Sequence, residues 1–154
     1  MRNKSGELIA KMLVIYKPLN EDWMGFKLTR NNPYTFHHIK EKRDGGRYEI
    51  QNGALLTMEA HRFLNFLDFK CHEAYEDYQN IFRRIVKEGE VTEELKEEIY
   101  AMMLDIFYYD YYHLKRRFGS LSRFEEYTYA DMQVKEDIMH EVDVKEYKRS
   151  KRRQ

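Results

Sequence analysis

Beyond Thr57 the chain has a single hydrophobic period, and it is that of an α-helix. Ala74, Tyr75, Tyr78, Ile81, Phe82 and Ile85 fall three and four residues apart, one side of a helix, and Gly89 ends the run. Thr92 then offers a side-chain cap, with Glu93 and Glu94 in the first turn, where the helix dipole favours acids. Leu95, Ile99, Met102, Met103, Ile106, Phe107, Leu114 and Phe118 carry the next stripe as far as Gly119, and Ser122 with Glu125 fits a capping box for a further helix. A helix also starts behind Thr57 and runs through Met58–Asn65. With 7 Gly and 2 Pro in 154 residues, an all-β fold built on tight turns is excluded.

Strands are expected only upstream. Tyr34-Thr35-Phe36-His37-His38-Ile39 is aromatic and β-branched enough for one strand. The polar connection Lys40–Gly46 follows, and its double glycine permits a turn closed to other residues. Arg47-Tyr48-Glu49-Ile50 is the expected return strand, ended by Asn52-Gly53. Before this hairpin, Leu8, Ile9, Met12, Leu13 and Tyr16 recur at helical spacing behind Ser5 and stop before Pro18. Leu13–Tyr16 fits a short buried strand equally well, and residues 19–33 read mostly as loop. The expected class is α+β: a hairpin-plus-helix module over residues 1–68 and a mainly α-helical extension over 69–154 with a basic C-terminal tail.

The net charge of zero hides a segregation. Residues 1–47 carry 10 Lys+Arg against 5 Asp+Glu, residues 48–144 carry 11 against 21, and the last ten carry 6 against 1. Charge divided in this way suits different partners on different surfaces, although acidic helix faces are also simply well solvated. No apolar run approaches the ~18 residues of a membrane span, so no membrane partner is expected. Lys11 interrupts the N-terminal apolar stretch and no small-residue cleavage site follows, which argues against a signal peptide. The single cysteine, Cys71, excludes an internal disulfide and a multi-cysteine zinc site, and a reducing, cytoplasmic setting is expected.

The chemistry is concentrated in residues 34–65. A His37-His38 pair stands on a strand, Gly45-Gly46 and Asn52 follow, and His61 and Asn65 end the stretch. The i, i+4 spacing puts His61 and Asn65 on one helix face, within reach of one metal ion. Neighbouring strand residues point to opposite faces, so His37 and His38 are suited to different tasks.

In the order His-His, Gly-Gly, Asn, His, this stretch resembles the HNH endonuclease signature on the ββα-metal fold, over residues 23 to 66 or about a third of the chain. The resemblance implies His38 as the general base that takes a proton from the attacking water. Asn52 would hold the hairpin loop and orient His38 through a hydrogen bond. The resemblance also implies His37 and His61 as ligands of one divalent ion, with Asn65 at a position some members use for a third. Two imidazole ligands suit Zn²⁺, Ni²⁺, Mn²⁺ or Co²⁺, while an Asn oxygen and waters also suit Mg²⁺; the chain departs from the common pattern in having His37 where many members have Asp, which leans toward the borderline metals and places Mg²⁺ in doubt. It also lacks the cysteine pairs of a structural zinc, so packing by Trp23, Phe26 and the helices must hold the module.

Lys40, Lys42, Arg43 and Arg47 around the loop, and Arg62 beside His61, are candidate phosphate contacts, and they also suit an exposed, soluble loop. The tail Lys145–Arg153 is either a non-specific DNA contact or a solvated terminus. Tyr108-Tyr109 and Tyr111-Tyr112 cover most of a helix circumference and suit packing better than base stacking. His72, His113 and His140 have no matching partners. The expectation is a metal-dependent HNH-type endonuclease acting on DNA, double-stranded in the first instance. The alternative is a non-catalytic regulator or interaction protein of a phage or mobile element. It would keep the same module, act on host defence or replication proteins, and use the acidic helical segment to hold its partner.

Overall fold

The computed structural model describes residues 4–109 and 111–118; the capping box at Ser122 and Glu125, His140 and the basic tail lie outside the described residues. Within them the chain is α+β, with five α-helices and one two-stranded antiparallel sheet. Helix α1 (Lys4–Tyr16) settles the ambiguity of the first segment in favour of helix. Leu8, Ile9, Met12 and Tyr16 lie against the core, and Lys17 leaves the helix at φ 48°, just before Pro18.

The segment from 17 to 33 is irregular but anchored. Trp23, Met24 and Phe26 are buried. Asp22 is their fastening. One carboxylate oxygen accepts from the amides of Met24 and Phe26, and the other from the amide and hydroxyl of Thr57, at 2.7–2.9 Å. Burial pushes the Asp22 carboxyl up to about 6, and the four donors pull it the other way.

Strand β1 (Tyr34–His38) pairs with β2 (Gly53–Thr57), with Tyr34 opposite Thr57 and His38 opposite Gly53. The return strand is therefore not Arg47–Ile50. Those residues belong to a long closed loop, and Ile50–Asn52 form a short 3₁₀ turn. The physical reason is burial: Ala54, Leu55 and Leu56 are all fully buried, whereas Arg47 and Tyr48 are exposed. A strand covered on both faces reads as a continuous apolar run, as Ala54-Leu55-Leu56 does.

The loop is closed by polar groups. Asn52 accepts from the Lys40 amide at 2.8 Å and donates to the carbonyls of Lys40 and Arg47 at 3.1 and 3.0 Å. Gly45 takes φ 91°, and a Cβ on Gly46 would lie 1.7 Å from the Lys40 carbonyl oxygen. The double glycine thus provides one left-handed residue and one close backbone approach.

Thr57 caps helix α2 (Met58–Lys70), its hydroxyl accepting from the Ala60 amide. Cys71 alone separates α2 from α3 (His72–Glu88), which buries Tyr75, Tyr78, Gln79, Ile81, Phe82 and Ile85 and ends at Gly89 with φ 77°. The hydroxyl of Thr92 accepts from the Leu95 amide ahead of α4 (Glu93–Tyr109). The expected stripe is buried through Leu95, Ile99, Met103 and Phe107 and, in α5 (Tyr111–Phe118), through Leu114 and Phe118. Phe63 of α2 joins the parts, with ring centroids 5.8 Å from Phe26, 6.2 Å from Phe107 and 5.1 Å from Phe118. One hydrophobic core thus runs across residue 68, from the sheet to α5. Among the described residues no helix is long and apolar enough to cross a membrane.

Candidate functional site

Strand alternation sends Thr35 and His37 to one face of β1 and Phe36 and His38 to the other. The first face meets α2 and α3, so His37, 7% exposed, lies beside His61 with ring centroids 4.9 Å apart. The Nδ1 atom of His37 and Nε2 of His61 are 3.0 Å apart.

The surrounding hydrogen bonds dictate which nitrogens carry protons. Gln79 donates from Nε2 to the Ile39 carbonyl at 2.6 Å and to the Tyr75 hydroxyl oxygen at 3.3 Å, while Tyr75 passes its own proton to Glu41 at 2.7 Å. The carboxamide is thereby oriented, and its Oε1, an acceptor only, faces His37 Nε2 at 2.7 Å. His37 Nε2 must be the protonated nitrogen. Across the pair, the Thr35 hydroxyl donates to the Leu56 carbonyl at 2.8 Å, so its oxygen accepts from His61 Nδ1 at 2.6 Å. His61 Nδ1 must then carry its proton. In neutral rings, two bare nitrogen lone pairs are left pointing at each other.

Burial lowers the pKa of both rings, that of His37 to about 4, with neighbouring histidines adding to the effect, so both are neutral at pH 7. Two facing lone pairs repel unless a cation lies between them. Their 3.0 Å separation is within the span of two nitrogen ligands each about 2.0–2.1 Å from one ion. The residues present therefore fit a borderline divalent cation. Among the described residues no group of three or more His, Cys, Asp or Glu side chains converges, so the donor set is two imidazoles, with the exposed Asn65 carboxamide one turn beyond His61.

His38 lines the same cleft of about 320 Å³, together with Phe36, His37, Glu41, Lys42, Arg43, His61, Asn65 and Tyr75. Its ring is wedged edge-on between Phe36 and Tyr48, at centroid distances of 5.0 and 4.4 Å. Partial burial and the Lys42 charge lower its pKa, which keeps it neutral and able to accept a proton. The expected hydrogen bond from Asn52 to the His38 side chain is not formed. The Asn52 carboxamide is engaged by the backbone of Lys40 and Arg47, and His38 Nε2 is buried without a partner. Asn52 instead steadies the end of the strand, its carbonyl accepting from the Ile39 amide at 2.9 Å.

The cleft thus gathers His37, His38, His61 and Asn65, and of the candidate phosphate contacts Lys42 and Arg43. Lys42 lies over the Tyr48 ring at 5.4 Å, and Arg43 is held by Glu41. Lys40, Arg47 and Arg62 are exposed outside its lining, and Arg62 pairs with Glu59 on its own helix. His72 is an exposed surface residue between Asp68 and Glu76.

Thr35, Gln79, Tyr75 and Glu41 were missed by the sequence reading. Thr35 could have been found, since it shares a strand face with His37 two residues on. Gln79 had a weaker signal: it is a polar residue four after Tyr75 and three before Phe82, inside an apolar helix stripe. Comparison with protein-family models, curated proteins and solved structures finds no match to this chain.

Proposed function

We propose that this protein is a metal-dependent endonuclease of the HNH type, hydrolysing phosphodiester bonds of DNA on a ββα-metal module formed by β1, β2 and α2. The observation that carries the reading is the 3.0 Å approach of His37 Nδ1 to His61 Nε2, each ring engaged through its other nitrogen, beside His38 in one open cleft. His37 and His61 would hold the cation, with Asn65 as a third oxygen donor. Once bound, the cation supplies a Lewis acid that offsets the charge growing on the leaving oxygen. His38 takes the proton of the attacking water as the new O–P bond forms and the P–O bond to the leaving group breaks. Its lowered pKa holds it in the accepting form at neutral pH. Lys42 and Arg43 at the cleft are suited to backbone phosphates, a contact that ignores base sequence and weakens with salt.

The test is supercoiled plasmid incubated with the protein and Mg²⁺, Mn²⁺, Ni²⁺ or Zn²⁺, with EDTA and His38→Ala as controls. Nicking or linearisation that is lost in both controls is the expected result, with the borderline metals outperforming Mg²⁺. A folded sample that cuts nothing with any metal overturns the reading. The second reading, a non-catalytic interaction protein, draws on Glu73, Glu76, Asp77 and Glu88 of α3 and Glu93, Glu94 and Glu97 of α4, all exposed. That surface repels phosphate and suits a basic protein. A stoichiometric protein partner recovered with no nuclease activity in either state would favour it.

A further inference from the structure

We propose that Gln79 of α3 is a positioning residue of the His37–His61 centre. It locks His37 as the Nε2–H tautomer, so that Nδ1 is the nitrogen offered to the cation. The inference rests on the metal-dependent reading above, and extends the centre beyond the hairpin and α2 into the helical extension.

Gln79 is 2% exposed, and a buried carboxamide there would be costly if it served only to fill space. All of its polar capacity is directed at the site. Nε2 serves the Ile39 carbonyl, at the end of the strand that carries both histidines, and the Tyr75 oxygen. Oε1 serves His37. Tyr75 in turn holds Glu41, and Glu41 holds Arg43, so one chain of hydrogen bonds joins the ligand to the loop that carries the cleft's cations. Remove the Oε1 acceptor and nothing holds the proton on His37 Nε2. The ring is then free to take the Nδ1–H tautomer and donate across the 3.0 Å gap to His61 Nε2. A proton would then occupy the place the lone pairs leave for a cation, and metal would have to displace it. Partners of this kind, one shell out from a ligand histidine, typically change metal affinity by about 10–100-fold when lost.

The experiment pairs two readouts that do not depend on activity. Long-range ¹H–¹⁵N NMR of the metal-free protein at neutral pH reports the tautomers of His37 and His61, and Co²⁺ titration followed by absorbance reports affinity. Both are run on the wild type, Gln79→Leu and the better volume match Gln79→Met, with folding checked by thermal denaturation. The wild type is expected to show Nε2–H at His37 and Nδ1–H at His61. Both variants are expected to move His37 to Nδ1–H and weaken Co²⁺ binding by about 10–100-fold. Nδ1–H at His37 in the wild type overturns the proposal even if neither variant folds. A folded variant with unchanged tautomer and affinity overturns it alone, because the wild type still binds Co²⁺. A wild type that binds no Co²⁺ overturns the metal-dependent reading and the proposal together.

Discussion

The two faces of β1 solve opposite problems with adjacent histidines. On the Thr35–His37 face each imidazole nitrogen is spoken for: Gln79 and Thr35 take one proton each, and the two remaining nitrogens face each other. On the Phe36–His38 face the buried Nε2 of His38 has no hydrogen-bond partner among the described residues, and the ring is gripped by the edges of Phe36 and Tyr48. A metal ligand must keep one nitrogen bare at all times, so its tautomer has to be dictated. A general base must gain and lose a proton every cycle, so a fixed tautomer would obstruct it. Packing orients such a ring without committing its protons. One residue step along a strand separates the two regimes.

The largest break in this comparison is His38→Ala. On the proposed endonuclease reading, loss of the base at this position is expected to lower cleavage by about 10²–10⁴-fold. Co²⁺ affinity should match the wild type, because His38 holds no group on the opposite face, while the thermal midpoint should fall slightly with the loss of its ring contacts to Phe36 and Tyr48. A parallel loss of metal binding would show that the two faces are not independent.

Acid separates the faces next. In metal-free protein the His37 pKa is lowered from 6.5 to about 4, so below pH 6.5 the unfolded chain binds a proton that the folded protein refuses. Stability supplied by neutral His37 is therefore present above pH 6.5 and drains away as pH falls toward 4, by about 3 kcal/mol at most. Asp22, pushed up to about 6, acts with the opposite sign between pH 6 and 3.8. Urea denaturation in EDTA at pH 7.5, 5.5 and 4.5 should thus be compared with His37→Gln, where the Asp22 contribution is shared and cancels. Wild type should lose more stability on acidification than the variant; parallel curves would mean that His37 is not neutral by burial.

Gly53→Ala sharpens the aromatic side. A Cβ there would lie 2.3 Å from Phe36 Cε2, so the ring that contacts the His38 side chain must shift. Overpacking of this kind costs about 1–3 kcal/mol. Denaturation should register that loss and cleavage should fall, while Co²⁺ affinity holds. The smallest effect is expected from Tyr48→Leu, which removes the edge-on contact with His38, worth about 0.5–1.5 kcal/mol, along with the Phe36 and Lys42 contacts of the same ring, and should lower kcat only several-fold on the proposed reading. A larger drop with intact folding would mean that Tyr48 does more than hold the ring of His38.

The failures of sequence reading are instructive beside its successes. Thr57, Gly89 and Thr92 were legible because capping and chain reversal are decided within four residues. The strand expected at Tyr34–Ile39 was legible from its aromatic and β-branched composition, and forms at Tyr34–His38. The return strand was misplaced by reading Asn52-Gly53 as its end. The Asn52 side chain is committed twelve residues back, to Lys40, so the pair closes the loop and β2 begins there. The expected Asn52–His38 hydrogen bond failed on the same competition, since a carboxamide engaged with Lys40 and Arg47 has no atom to spare.

The sequence by itself determined the α+β class, the caps at Thr57 and Thr92, the two-glycine loop and part of the cleft: His37, His38, His61, Asn65, Lys42 and Arg43. These follow from local propensity and from the periods of 2 and 3.6 residues that sort side chains onto faces. Only the tertiary structure decided which nitrogen of each histidine is bare. That choice belongs to acceptors far away in the chain: Gln79, 42 residues beyond His37, and Thr35, 26 residues before His61. A ring proton goes to whichever acceptor packing brings within 3 Å, and no local pattern in the chain records that distance.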